Sequence, residues 1–141
     1  MKHRGQTLGG SWAALALAIV LAGCGSQIDG PPRYRVSGEV TYDGQPVPRG
    51  FITFEPDSEK GNSGPGGGAE IKDGRYRTDA DMGVIGGPHR VRIIGYDGVP
   101  TTVEGEELAD GQPLFPPYET QVDFPKEDTT HDFTIPKSPP Q

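Results

Sequence analysis

Cys24 is the chain's only cysteine, and it sets the first limit on the chemistry available. A single thiol excludes an internal disulfide and any multi-cysteine metal site. His89 and His131 are the two histidines beyond the N-terminal apolar run. By strand alternation His89 shares a face with Val91 and Ile93, and His131 with Phe133 and Ile135. If those strand ends meet, the imidazoles supply two metal ligands. The other reading is a pair of half-buried histidines hydrogen-bonded at the rim of a β-domain, and the absence of a Glu-x-x-His spacing favours it.

Carboxylates are plentiful but poorly patterned. Asp57-Ser58-Glu59-Lys60-Gly61-Asn62 starts like a calcium loop, yet Asn62 stands at the sixth position and Gly68 at the twelfth, where glycine and glutamate are required. It and Asp79-x-Asp81 read as solvated loop carboxylates. Residues 97–120 hold Asp97, Glu104, Glu106, Glu107, Asp110 and Glu119 without one basic residue. That composition predicts a mobile, self-repelling excursion, or else a calcium-binding or cation-binding surface. Leu114, Phe115 and Tyr118, set among Pro113, Pro116 and Pro117, are expected to cover an open sheet edge. The alternative is an exposed aromatic platform for sugar or protein. Ser26, Ser37, Ser58, Ser63 and Ser138 lie in no nucleophile motif, so the chain reads as non-enzymatic, with no catalytic residue, metal or cofactor expected.

The position of the thiol is more informative. Met1–Ser11 carries Lys2 and Arg4 and no acid, and Trp12–Ala22 is an unbroken apolar run of eleven. As a helix this run is about 17 Å long, too short for a hydrocarbon core of about 30 Å. A basic start, a short apolar middle and small residues after it form a secretory signal. Leu21-Ala22-Gly23-Cys24 at its end resembles the lipobox of bacterial lipoproteins. The resemblance implies that the Cys24 thiol receives diacylglycerol, that the chain is cut before it, and that the new amine is acylated. Several acyl chains anchor stably where one is marginal. Gly25-Ser26, with no aspartate after the cysteine, implies export to the outer membrane. Loss of Lys2 and Arg4 would leave 11 basic and 20 acidic residues, a net charge of −9. Such a charge gives no general attraction to nucleic acid.

The expected divisions are a signal peptide at 1–23, a lipidated tether at 24–33, a domain at 34–136 and a flexible tail at 137–141. With 22 glycines and 15 prolines in 141 residues, short strands and turns are favoured over helices. Tyr34–Tyr42 alternates over nine residues, as a half-buried strand does, and Asp43-Gly44 closes it with a turn. Pro46 and Pro48 keep the following residues out of a central ladder. Phe51–Glu55 reads as a second strand and Asp57–Gly68 as a loop. Ala69–Thr78 forms a hairpin around Asp73-Gly74, pairing Lys72 with Arg75, Ile71 with Tyr76 and Glu70 with Arg77. Val91–Tyr96 is a strand, and "TQVDF" and "HDFTI" are two more around "PKEDTT".

"VSGEVTYDGQPVPRGFITFEP", "IKDGRYRT", "GPHRVRIIGY" and "LFPPYET" together resemble the transthyretin-like, carboxypeptidase regulatory-like domains of small bacterial lipoproteins. The resemblance implies an all-β, antiparallel, seven-stranded prealbumin-like sandwich, structural or protein-binding in the cell envelope. Expected partners are the membrane, through lipid on Cys24, and an envelope protein or glycan. The other function class is a carbohydrate- or calcium-binding module using the 97–120 loop.

Overall fold

The computed structural model describes residues 30–137. Cys24, the expected signal helix, most of the tether and the last four residues lie outside the described residues. The strands are β1 (Val36–Tyr42), β2 (Gln45–Pro46), β3 (Arg49–Pro56), β4 (Gly67–Lys72), β5 (Arg75–Arg77), β6 (Gly87–Tyr96), β7 (Thr101–Val103), β8 (Glu106–Leu108), β9 (Tyr118–Phe124), β10 (Thr129–Thr130) and β11 (Phe133–Ile135). A 3-10 turn, Ser58–Lys60, follows β3.

Turn chemistry sets much of this order. Asp43-Gly44 (φ 50° and 76°) and Asp73-Gly74 (φ 51° and 75°) have the two successive positive φ angles of a type I′ turn. The first turns β1 into β2, and the second joins β4 to β5. As expected, Lys72 faces Arg75 and Ile71 faces Tyr76. The expected Glu70–Arg77 pair does not form. Beyond Ile71 the two strands part company: Glu70 lies opposite Phe51 of β3, and Arg77 lies opposite Ser37 of β1. A third turn of this kind, Glu104-Gly105 (φ 51° and 88°), joins β7 to β8 inside the acidic segment. The excursion expected there is therefore a two-stranded ribbon over part of its length.

The main ladder runs β10-β1-β5-β4-β3-β6-β9, with β2 and β11 also paired to β1. All pairings are antiparallel except those of β10 and β11 with β1. The two strands expected around "PKEDTT" are therefore not partners, since β9 pairs with β6 at the opposite end of the ladder. The ladder has nine strands in one curled sheet, where seven in a sandwich were expected. The extra members are the short β2 and the split of the last strand into β10 and β11.

Curling gives the sheet its inside. The Phe124 ring at the β9 end lies 5.8 Å from the His131 ring beside β10, although the whole ladder separates those strands. Between them lie Val36, Val40, Ile52, Phe54, Ile71, Val91, Ile93, Phe133 and Ile135, all buried. Each such side chain contributes about 1.5–3 kcal/mol on burial. Two glycines permit close approaches. A Cβ on Gly38 would strike the His131 carbonyl, so β1 needs a bare position where the last strands join it. A Cβ on Gly95 would lie 2.6 Å from Phe115 Cζ, so that gap is what admits the Phe115 ring.

Among the described residues, side-chain hydrogen bonds to the rest of the domain begin at Arg33. Arg33, assigned to the tether, donates from Nη1 to the carbonyls of Gly66 (2.9 Å) and Gly83 (3.2 Å). Tyr34 then bridges to Val84.

Candidate functional site

Alternation along β3, β6 and β9 turns one set of side chains away from the core. Phe51, Thr53 and Glu55 leave β3, Arg90, Arg92 and Ile94 leave β6, and Glu119 and Gln121 leave β9. Register sets them in rows: Glu70–Phe51–Ile94, then Gly68–Thr53–Arg92–Glu119, then Glu55–Arg90–Gln121. The Phe51 ring leans over Gly68, where an added Cβ would lie 3.2 Å from Phe51 Cε1. This places a 37% exposed aromatic against the outer surface of the sheet.

Two hollows of ≈ 550 and ≈ 630 Å³ lie on this face. The first is lined by the Thr53 and Glu55 rows, and the second by Arg49, Phe51, Glu70, Tyr96 and Asp110. A smaller one of ≈ 280 Å³, bounded by Phe51, Thr53, Arg92 and Ile94, joins them into an open groove.

The two ends of the groove differ. At one, Arg90 meets Glu59 Oε2 at 2.6 Å and Asp57 Oδ1 at 3.5 Å, and Lys60 Nζ donates to Gln121 Oε1 at 2.6 Å. Glu59, through hydrogen bond and charge, raises the Arg90 pKa. Toward the other end, Arg92 and Arg49 have no ion pair among the described residues. Those guanidinium groups flank the Phe51–Ile94 patch. The arrangement suits an extended ligand with flat apolar faces and hydrogen-bonding or anionic groups.

The residues singled out from the sequence lie elsewhere, or act differently. Cys24 falls outside the described residues, as do Ser26 and Ser138. His89 and His131 approach the same ring, Phe124, at 5.4 and 5.8 Å between centroids. His89 is buried, its Nδ1 hydrogen-bonds the Gly87 carbonyl at 2.8 Å, and its Nε2 has no partner among the described residues. Burial lowers its pKa. Among the described residues no group of three or more His, Cys, Asp or Glu side chains is placed to hold a metal.

Asp57 is not the solvated carboxylate expected. It is 1% exposed, and its Oδ1 accepts from Glu59 N–H at the start of the 3-10 turn. Asp79 and Asp81 are exposed. Asp97 Oδ1 accepts from the N–H groups of Val99 (2.9 Å) and Gln112 (3.2 Å), which pins the base of the acidic excursion. Glu104, Glu106 and Glu107 project from the β7–β8 ribbon, while Glu119 belongs to β9 and lies opposite Arg92. Phe115 is buried against Tyr42, 5.0 Å between centroids, and Leu114 and Tyr118 pack on the core, so these three form no exposed platform. Ser37 sits on β1, Ser58 in the 3-10 turn and Ser63 in the loop after it.

Sequence reasoning missed Phe51 as the exposed aromatic. The signal was present, because Phe51 and Phe54 in "FITFE" have opposite parity and cannot both face the core.

No family model matches this chain, and neither does any curated protein. Among solved structures, it is similar to a candidate carbohydrate binding protein from Pseudomonas aeruginosa. The TM-score is 0.44 at 12% identity, over 74% of this chain and 90% of that one.

Proposed function

We propose that this chain is a membrane-anchored lipoprotein of the bacterial cell envelope, directed to the outer membrane, whose β-domain is a non-enzymatic interaction module. Leu21-Ala22-Gly23-Cys24 at the end of a short apolar run is the observation that carries this reading. The geometry fits it. Arg33 is the first side chain seen tied to the domain, and the nine residues from Cys24 to there reach about 30 Å. That span holds the domain clear of lipid headgroups while leaving its faces free. We assign the fold to the transthyretin-like, carboxypeptidase regulatory-like type. Its seven principal strands would be β1, β3, β4, β5, β6, β9 and the β10–β11 pair. Labelled palmitate tests the anchor. The wild-type chain should take up label and sediment with membranes, and Cys24→Ser should do neither. Label retained by Cys24→Ser would refute it.

A glycan-binding role is the second reading, and the exposed Phe51 between Arg49 and Arg92 favours it. A sugar ring stacks on an aromatic face while arginines take its polar or carboxylate groups. The site would be the sheet face, not the 97–120 loop with which the carbohydrate or calcium alternative began. Titration with acidic and neutral oligosaccharides tests it, with Phe51→Ala expected to abolish any heat of binding that the wild type shows.

A further inference from the structure

The outer face of the sheet carries a row of like charges. Lys72 of β4 lies opposite Arg75 of β5 on one side and opposite Arg49 of β3 on the other. Neighbouring strands lie about 4.8 Å apart, so the three cations occupy about 10 Å of backbone across the sheet. Like charges directly opposite one another destabilise a sheet, and this row sets two such pairs side by side. Composition does not account for it, because the chain has 13 basic and 20 acidic residues. Neutralisation within the fold is slight. Glu39, opposite Arg75, meets it at 3.5 Å with both side chains mostly exposed, which makes a weak contact. Lys72 and Arg49 are in no ion pair among the described residues, and neither are Glu70 and Asp73, the acids beside Lys72 on its hairpin. A local conflict of this kind is kept where a ligand resolves it.

The row adjoins the groove around Phe51. Arg49 lines the ≈ 630 Å³ hollow, while Lys72 and Arg75 line another, of ≈ 760 Å³, together with Arg77 and Glu39. Phe51 stands two residues beyond Arg49 on the same face of β3, about 7 Å along the strand. A ring stacked on Phe51 therefore holds a substituent within reach of the Arg49 guanidinium. The acids nearby narrow the kind of polyanion. Glu70 and Asp110 line the Arg49 hollow. Carboxylates there accept hydrogen bonds from hydroxyls and repel a chain that carries a phosphate at every link. A ligand with rings, many hydroxyls and one carboxylate per ring satisfies the aromatic, the acids and the cations together.

We propose that the sheet face binds an acidic polysaccharide, a chain of uronate sugars. It lies across β5, β4 and β3 with its carboxylates on Arg75, Lys72 and Arg49, and the ring that reaches Arg49 stacks on Phe51. The proposal rests on the glycan reading above and names its ligand class: the negative charge is required for binding. It does not depend on the anchor at Cys24.

Calorimetric titration of the full-length chain in non-ionic detergent tests it. The probes are octamers of galacturonate, glucuronate and mannuronate, the methyl esters of the same octamers, and polyglutamate. An acidic octamer should bind, its uncharged ester should bind at least about tenfold more weakly, and added salt should weaken the acid alone. Lys72 lies outside the Phe51 site, so its variants isolate the row. Lys72→Gln should weaken the acidic octamer about fivefold and leave the ester unchanged, and Lys72→Arg should bind as the wild type does. Because Lys72→Gln removes two like-charge contacts, its melting temperature should not fall. Esters that bind as tightly as acids overturn the proposal and leave the glycan reading standing, whereas silence of every oligosaccharide overturns both. Polyglutamate that matches the uronates also overturns it, since the surface would then read charge alone. So does an acidic octamer indifferent to Lys72→Gln, which would be bound elsewhere.

Discussion

The loop at residues 57–66 and the excursion at residues 97–117 are both acidic, turn-rich connections, but the sheet holds them differently. In the first, the carboxylate itself goes inside. Asp57 is buried, caps the 3-10 turn, meets Arg90, and receives Asn62 N–H on its carbonyl at 3.0 Å. Asn62 Nδ2 then donates to the carbonyls of Gly86 (3.0 Å) and Pro88 (2.8 Å), closing the loop against β6. In the second, Asp97 holds only the base. Its Oδ1 gathers two backbone N–H groups, and the ribbon beyond leaves Glu104, Glu106 and Glu107 exposed. Composition does not distinguish the loops. What separates them is whether a carboxylate finds enough donors to leave water.

The largest effect should come from the buried member of that comparison. Asp57→Ala removes a cap and leaves the Glu59 N–H and the Arg90 guanidinium without that acceptor, at a cost of about 2 kcal/mol. Asp97→Ala should cost about 1 kcal/mol, because the two N–H groups it orphans lie near solvent. Urea unfolding of the two variants measures the difference. Equal losses would mean that the two carboxylates are held alike.

A pH effect comes from the same corner, since Asp57 N–H donates to Pro88 O and His89 is the next residue. Burial lowers the His89 pKa from 6.5, opposed by the hydrogen bond to Gly87 O and by Asp123 on β9. The unfolded chain takes up this proton near pH 6.5 and the folded chain only at lower pH. Between those values the unfolded state binds more protons, so stability falls as the pH drops below about 6.5. His89→Gln should flatten this part of the urea-midpoint profile relative to wild type. An unchanged slope from pH 7.5 to 5.5 would show that the folded protein admits the charge.

Much of the sheet was legible because strands carry a local signature. Period-two alternation located β1 and marked the two faces of β6, and the two Asp-Gly pairs located the β1–β2 and β4–β5 turns, since Asp and Gly tolerate positive φ. Glu104-Gly105 makes the same turn without the usual residue, so the ribbon stayed hidden in a run of acids. Pairing was less legible. "TQVDF" and "HDFTI" are close in sequence, but they add to opposite ends of the ladder because the core closes between them. The burial of Phe115 depends on Gly95 having no side chain, a relation across twenty residues that no local pattern announces. The groove was half visible: outward Arg90 and Arg92 follow from alternation, whereas their rows with Thr53, Glu119 and Gln121 require the register.

The smallest effect belongs to the tip of the second loop. Replacing Glu104, Glu106 and Glu107 by Gln together should change unfolding stability by less than about 0.5 kcal/mol, because none of the three is in an ion pair among the described residues. Repulsion among them is screened within about 8 Å at physiological salt, so its relief is small as well. The fold of the ribbon rests on Gly105 and the β7–β8 ladder, not on these charges. If the triple variant instead melts several degrees higher, the carboxylates strain the loop as an unpartnered cluster does. Such strain is maintained only where another demand retains it, which would point to a cation or basic partner at the ribbon. If stability does not move, the ribbon is a neutral support, and the binding surface is better sought on the sheet face around Phe51 and Arg92.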